Sequence, residues 1–302
     1  MAQLVVVGSV NMDLTVPLSR LPESGETLLG GDARWGPGGK GANQAVAAAR
    51  LGVSVAFSGA VGSDPFGSAL RQALTDEGVD VSHLLELSGA PSGLAVIMGT
   101  PGGESTILVS PGANGRLAAD QIDALAEAGF LDATVLAAQL EIPHPIAELA
   151  MAKARAAGLR VFLDPSPAEG VRPEMVNGAD LVTPNRLEAS ALTGIAVTDF
   201  GSAEAAGQRL IALGAKAAVV KLGEEGAVLV TEHLVETIAA HQVKTVDATA
   251  AGDAFSGGLI AATLQGADLV EACRYATAVA AVAVMRPGAM ASLPRREEVH
   301  LE

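Results

Sequence analysis

A chain of 302 residues, 49% of them hydrophobic and with a mean hydropathy of +0.38, has the material for one large core. It has no unbroken apolar run of the ~18–20 residues that a membrane span needs. The formal charge of −15 and pI near 4.7 exclude a nucleic-acid binder, which needs surplus positive surface. The opening M-A-Q-L-V-V-V-G has no basic leader and reads as a first strand. Cys273 is the only cysteine, so no internal disulfide is possible and a reducing cytoplasm is the expected setting.

Apolar runs at residues 4–8, 54–60, 134–139, 160–164, 180–183 and 217–221 predict short buried strands. Helical periodicity predicts helices over 43–51, 66–77, 118–128, 145–156, 203–213 and 253–265. Strand and helix alternate, which predicts a single α/β domain: a mostly parallel sheet flanked by helices on both faces, with ligands beyond the carboxyl ends of its strands. Segments 14–35 and 92–109 break the alternation. They are extended, rich in Gly and Pro, and carry no helical period, including a turn at residues 101–103. We expect them to form one small β-sheet, inserted twice and suited to a lid; two unrelated surface hairpins are the alternative.

The chemistry is concentrated in a few stretches. In V-D-A-T-A-A-G-D, residues 246–253, small residues run straight into Asp253 and an apolar helix pattern. A helix starting near Gly252 leaves its first N–H groups without intrahelical partners, and these amides with the helix dipole suit a phosphate. Ala250, Ala251 and Gly252 carry nothing beyond Cβ, so such an anion can come close to the backbone. A carboxylate beside that anion fits a proton acceptor for an attacking hydroxyl, although an Asp in the first turn of a helix is also commonplace. Asn11 and Asp13 sit at i and i+2 after the first strand, on one face, and suit either sugar hydroxyls or a closed turn. The run W-G-P-G-G-K-G-A-N from Trp35 lacks the Ser or Thr that a Walker A loop needs where Gly41 stands.

N-x-D, G-G-K-G-A-N, P-N-x-x-E from Pro184, K-L-G-x-x-G from Lys221 and D-x-T-A-A-G-D follow one another in order, and in that order the chain resembles the ribokinase family of carbohydrate kinases. The match runs from Gly8 to Pro294. The phrases G-S-V-N-M-D, P-G-A-N ending at Asn114 and R-P-G-A from Arg286 bring it nearest to the ribose-phosphorylating members.

That resemblance implies an ATP-dependent kinase acting on O5 of D-ribose. Asp253 is then the base, and Ala250, Ala251 and Gly252 form an anion hole. Asn11, Asp13, Gly39, Lys40, Gly41, Asn43 and Glu141 hold the sugar. Asn185 and Glu188 lie near the phosphates and a hydrated Mg²⁺. Lys221, Leu222, Gly223, Glu224, Glu225 and Gly226 line the nucleotide, with Thr277 near the base. Asp247, Thr249, Ala283, Arg286, Gly288 and Ser292 enclose an activating K⁺, mainly through carbonyls. Ala248 departs from the family's usual hydroxyl or β-branched residue, and Met290 and Ala291 depart in the C-terminal loop. The resemblance further implies a homodimer joined through the β lid. Kinases of the same family acting on another sugar or a nucleoside, and a non-catalytic sugar-binding regulator, are the other readings. With aromatic residues at only 3%, there is little to stack a nucleoside base, which favours a free sugar.

Overall fold

The computed structural model describes residues 2–99 and 105–300, so the turn expected at residues 101–103 lies outside the described residues. In chain order the elements begin with β1 (Leu4–Val7), β2 (Asn11–Pro17), β3 (Arg34–Gly38), α1 (Lys40–Arg50), β4 (Val55–Gly62), α2 (Pro65–Asp76) and β5 (Asp80–Leu87). Next come β6 (Gly93–Gly99), β7 (Ser105–Ser110), α3 (Ala119–Glu127), β8 (Val135–Gln139), α4 (His144–Ala156) and β9 (Arg160–Asp164). The chain closes with β10 (Leu181–Val182), α5 (Arg186–Thr193), α6 (Phe200–Ala212), β11 (Ala217–Lys221), β12 (Gly226–Thr231), β13 (Val235–Ala239), α7 (Ala251–Leu264) and α8 (Leu269–Val284).

A nine-stranded sheet runs β13-β12-β11-β10-β9-β8-β1-β4-β5, parallel except at the β12 and β13 edge. Its strands read as continuous apolar runs because both faces are covered. Leu4, Val6, Val135 and Ala137 point into a core shared with α1, α2, α7 and α8. Val5, Val7, Leu136 and Ala138 alternate into a second core with α3, α4, α5 and α6. A separate four-stranded sheet, β3-β2-β6-β7, is built from two parts of the chain, as the broken alternation predicts. It begins earlier than expected, with Asn11 and Asp13 already inside β2.

Chain order turns back at β1, with β4 on one side and β8 on the other. Such a switch point opens a crevice at the carboxyl ends of the strands. Residues 8–10 after β1, Glu141 after β8, Asp164 at the end of β9, Asn185 after β10 and Lys221 at the end of β11 all reach this edge.

A candidate phosphoryl-transfer site at the sheet edge

Two helix N-termini frame the crevice. The helix expected from residue 43 begins three residues earlier, so Lys40 and Gly41 join Asn43 in the first turn of α1 rather than standing in the loop before it. Gly39 takes the N-cap at φ 91, and a Cβ there would lie 2.7 Å from Asn11 N, so only glycine fits. A Cβ on Gly38 would sit 2.0 Å from Asp13 Oδ2. The glycine run therefore makes room for the side chain of β2 that faces it.

Asn11 and Asp13 are both buried, at 2% and 8% exposure, on the same face of β2. Asn114, from the P-G-A-N phrase, accepts from Val10 N and donates to Val10 O, both at 3.0 Å, and also donates to Asn11 Oδ1 at 2.8 Å. That last bond turns the Asn11 oxygen away, leaving its nitrogen free to donate elsewhere. Asp13 Oδ1 and Asn43 Oδ1 have no hydrogen-bond partner although both are buried. Orphaned acceptors of this kind suit a ligand that carries several hydroxyls. Glu141 accepts from Ser9 Oγ at 2.6 Å and from Lys40 N at 3.4 Å.

Asp253 lies in the first turn of α7, 4% exposed. Asn43 Nδ2 donates to its Oδ2 at 2.9 Å and Gln44 Nε2 to its Oδ1 at 3.2 Å. Burial raises its pKa; the Lys40 ammonium opposes that and Asp164 reinforces it, and the net effect is upward. Ala250, the N-cap, is held in the left-handed region at φ 62, ψ 10. The amide of Ala251 donates to Ala248 O at 3.2 Å, whereas those of Gly252 and Asp253 have no partner among the described residues. An anion at this end meets the latter two amides most directly.

The other wall carries Asn185 and Glu188. They form a reciprocal capping box on α5: Asn185 N and Nδ2 donate to Glu188 at 2.7 and 2.8 Å, and Leu187 N and Glu188 N donate back to Asn185 Oδ1. Burial first, then the charge of Asp164, raises the Glu188 pKa. Lys221 reaches Asp164 at 3.3 Å. Leu222 is buried, Glu225 pairs with Arg186, and Glu224 is exposed in the turn with Gly223 that leads to Gly226. Thr277 is buried on α8, its hydroxyl donating to Arg274 O at 2.7 Å.

The six residues matched to a cation loop gather where 246–249 meets the end of α8. Val246 N and Asp247 N both donate to Val284 O, while Asp247 accepts from Thr249 N at 2.9 Å and from Gly288 N at 2.8 Å. Burial works against the Asp247 charge, yet these bonds hold its pKa below the usual carboxylate value. Ser292 is fully buried and donates to Ala289 O; Ala283 O accepts from Arg286 N. The Arg286 guanidinium turns outward to Glu298, so only its backbone faces the loop.

Five further residues belong to this site: Ser9, Gln44, Asn114, Gln139 and Asp164. Ser9 and Asn114 are visible in the sequence only as parts of phrases without a role, Gln44 only as the residue that follows G-G-K-G-A-N, and Gln139 and Asp164 stand in no motif. A small cavity beside Gln44 and Asp164, about 10 Å³ and also lined by Thr183 and Ser256, has room for one water at most.

Residues 1–296 match the model of the pfkB family carbohydrate kinases. A ribokinase of Haemophilus influenzae is 37% identical over 295 residues, covering 98% of this chain and 96% of its own. Among solved structures, a ribokinase from Thermotoga maritima superposes with a TM-score of 0.87 at 34% identity, over 99% of this chain and 98% of that one. The ribokinase of Arabidopsis thaliana complexed with ribose and ATP does so with a TM-score of 0.85 at 32% identity, over 99% and 97%.

Proposed function

The chain belongs to the pfkB family of carbohydrate kinases, and from that premise we propose that it transfers the γ-phosphoryl group of ATP to O5 of D-ribose, giving ribose 5-phosphate and ADP. The observation that carries this reading is Asp253, a buried carboxylate gripped through both oxygens at a helix N-terminus whose amides face the same crevice. Asn11, Asp13, Gly39, Lys40, Gly41, Asn43 and Glu141 hold the sugar with its primary hydroxyl towards Asp253. As O5 bonds to the γ-phosphorus, Asp253 takes the hydroxyl proton and the bond to the bridging β,γ oxygen breaks, releasing ADP. Of the Ala250–Gly252 anion hole it is the unpartnered amide of Gly252 that, with the amide of Asp253 and the ammonium groups of Lys40 and Lys221, meets the charge that spreads over the phosphoryl oxygens. The nucleotide lies along Asn185 and residues 221–226, and the small sheet β3-β2-β6-β7 closes over the sugar and keeps water out.

The residues fit a divalent ion that arrives with the nucleotide. Glu188 and Asp164 put two buried carboxylates at the phosphate end, yet no cluster of three acidic, His or Cys ligands exists among the described residues. This suits Mg²⁺ held mainly by phosphates and water, with Asn185 and Glu188 orienting its waters. When bound, the ion neutralises charge on the transferring group. Turnover measured as ADP release across D-ribose, 2-deoxy-D-ribose, D-fructose and adenosine tests the acceptor. Ribose should be the fastest, and a preference for another acceptor would reassign the substrate within the family.

K⁺ belongs in the loop of Asp247, Thr249, Ala283, Arg286, Gly288 and Ser292, away from substrate. Asp247 stays ionised there and ties residues 247–249 to the 288 loop, so a cation on the surrounding carbonyls would stiffen the backbone leading into Ala250. Replacing K⁺ by tetramethylammonium at fixed ionic strength should lower turnover; equal rates would remove the cation from the scheme. The enzyme works in the cytoplasm as a homodimer joined through the small sheet. Its edge strands β3 and β7 carry Trp35, Ile107 and Leu108, all at least half exposed. Leu108→Lys should shift sedimentation from dimer to monomer, and an unchanged profile would place the interface elsewhere.

A further inference from the structure

Gln44 lies inside α1 between two carboxylates, and its carboxamide nitrogen has no proton to spare. Nε2 donates to Asp164 Oδ2 at 2.8 Å and to Asp253 Oδ1 at 3.2 Å. Its Oε1 accepts from Gln139 Nε2 at 2.6 Å. That third bond dictates which way the amide faces: with the oxygen claimed by Gln139, the nitrogen must point at the acids. Gly8 leaves room for the Gln139 carboxamide, since a Cβ there would lie 2.1 Å from its Oε1. All four side chains are buried, from 0% exposed for Gln139 to 4% for the two aspartates.

We infer that Gln44 is the positioning residue of Asp253 and ties its placement to that of Asp164, an inference that rests on reading Asp253 as the base. A carboxylate held only by Asn43 on Oδ2 could swing about its terminal torsion, which is soft for Asp. A second donor on Oδ1 fixes the plane of the carboxylate relative to the hydroxyl that it must deprotonate. Because one nitrogen serves both acids, the position of Asp253 is also tied to that of Asp164. The other oxygen of Asp164 pairs with Lys221 at 3.3 Å. One chain of hydrogen bonds thus runs from the lysine of the nucleotide wall to the base.

The charged groups facing Asp253 are Lys40 from α1, Asp164 from β9 and Asp13 from β2, with Lys221, Glu141 and Glu188 just behind them. Within this set Gln44 and Asp164 act on the base with opposite sign. The Gln44 hydrogen bond favours the ionised form of Asp253, whereas the Asp164 charge disfavours it.

Opposite signs give a test that damage to the fold cannot mimic. The readout is the acidic limb of kcat at saturating ATP and ribose, which reports the enzyme–substrate complex. Gln44→Met keeps the length of the side chain and removes its hydrogen bonds, and the limb should move up by about one pH unit. Asp164→Asn leaves an acceptor for Gln44 and removes the charge, and the limb should move to lower pH. Limbs that stay at the parent value, or that move in the same direction, overturn the inference. Should Gln44→Met fail to melt cooperatively, Gln44→Leu, which also lacks the hydrogen bonds, takes its place, and a limb at or below the parent pH overturns the inference. Asp253→Asn, measured alongside, separates the two levels. If that variant keeps its turnover, the reading of the base fails; if it is inactive while both limbs stay put, only the positioning role falls.

Discussion

Asp253→Asn is expected to lower turnover by roughly 10²–10⁴-fold, the usual contribution of a positioned base, while leaving the fold intact. The geometry makes this a clean experiment. The native carboxylate accepts from Asn43 Nδ2 and Gln44 Nε2, so an amide nitrogen at this position would face a donor. Asn43 Oδ1, however, is buried and has no partner. A flip of the Asn43 amide turns that oxygen towards the new nitrogen and restores a bond. Stability should move opposite to activity. Burial raises the native pKa of Asp253 above that of the unfolded chain, so ionising it costs stability as pH rises through the native value. The variant has no such cost, and its Tm should equal or exceed the parent's at pH 8. A folded variant with near-parental turnover would remove Asp253 from the base role.

Those two properties arise from residues whose proximity was only partly legible in the sequence. The buried strands were readable because a sheet covered on both faces needs continuous apolar runs, and β9 and β11 fall at the expected bounds, 160–164 and 217–221. The N-x-D, G-G-K-G-A-N and A-A-G-D phrases mark where backbone comes close to a ligand. Strand β5 was not legible because it is an edge strand with mixed burial, its polar residues interrupting the pattern. Helix α8, L-V-E-A-C-R-Y-A-T-A-V-A-A-V-A-V, is apolar on most sides, yet its alanine-rich run ahead of the 288–292 loop reads as a buried helix. Hairpin β12–β13 follows a glycine turn that reads first as a ligand loop.

Gln44 and Asp164 illustrate the deeper limit. Gln44 stands in an alanine-rich helix and Asp164 precedes a proline at the end of a strand, both ordinary local settings. Their partners are distant in sequence, 120 residues apart for Gln44 and Asp164 and 209 for Gln44 and Asp253. A single chain carries no signal for contacts of that range; only the sheet order that brings β1, β8 and β9 together creates them.

Asp13→Ala should raise the KM for ribose by roughly 10- to 100-fold, the worth of a hydrogen bond between a hydroxyl and a charged acceptor, and leave the KM for ATP nearly unchanged. The acid is held in place for that purpose: Gly38 leaves space for its oxygen, and Oδ1 is buried without a partner. Burial, then the charges of Glu141 and Asp253, pushes its pKa up to about 7 in the free protein. The carboxyl therefore titrates in the neutral range rather than in the ordinary carboxylate range, and kcat/KM for ribose should climb through about pH 7 in the parent and lose that limb in Asp13→Ala. The linkage sign follows from the same shift. Between the ordinary carboxylate value and about 7 the native state keeps a proton that the unfolded chain has released, so the parent loses stability as pH rises across that window. Asp13→Asn should thus melt above the parent at pH 8, with the difference closing towards pH 4, and ribose should narrow it at pH 8 by supplying the missing hydrogen bonds. If the KM for ribose stayed fixed while that for ATP rose, the sugar and nucleotide ends of the crevice would have to be exchanged.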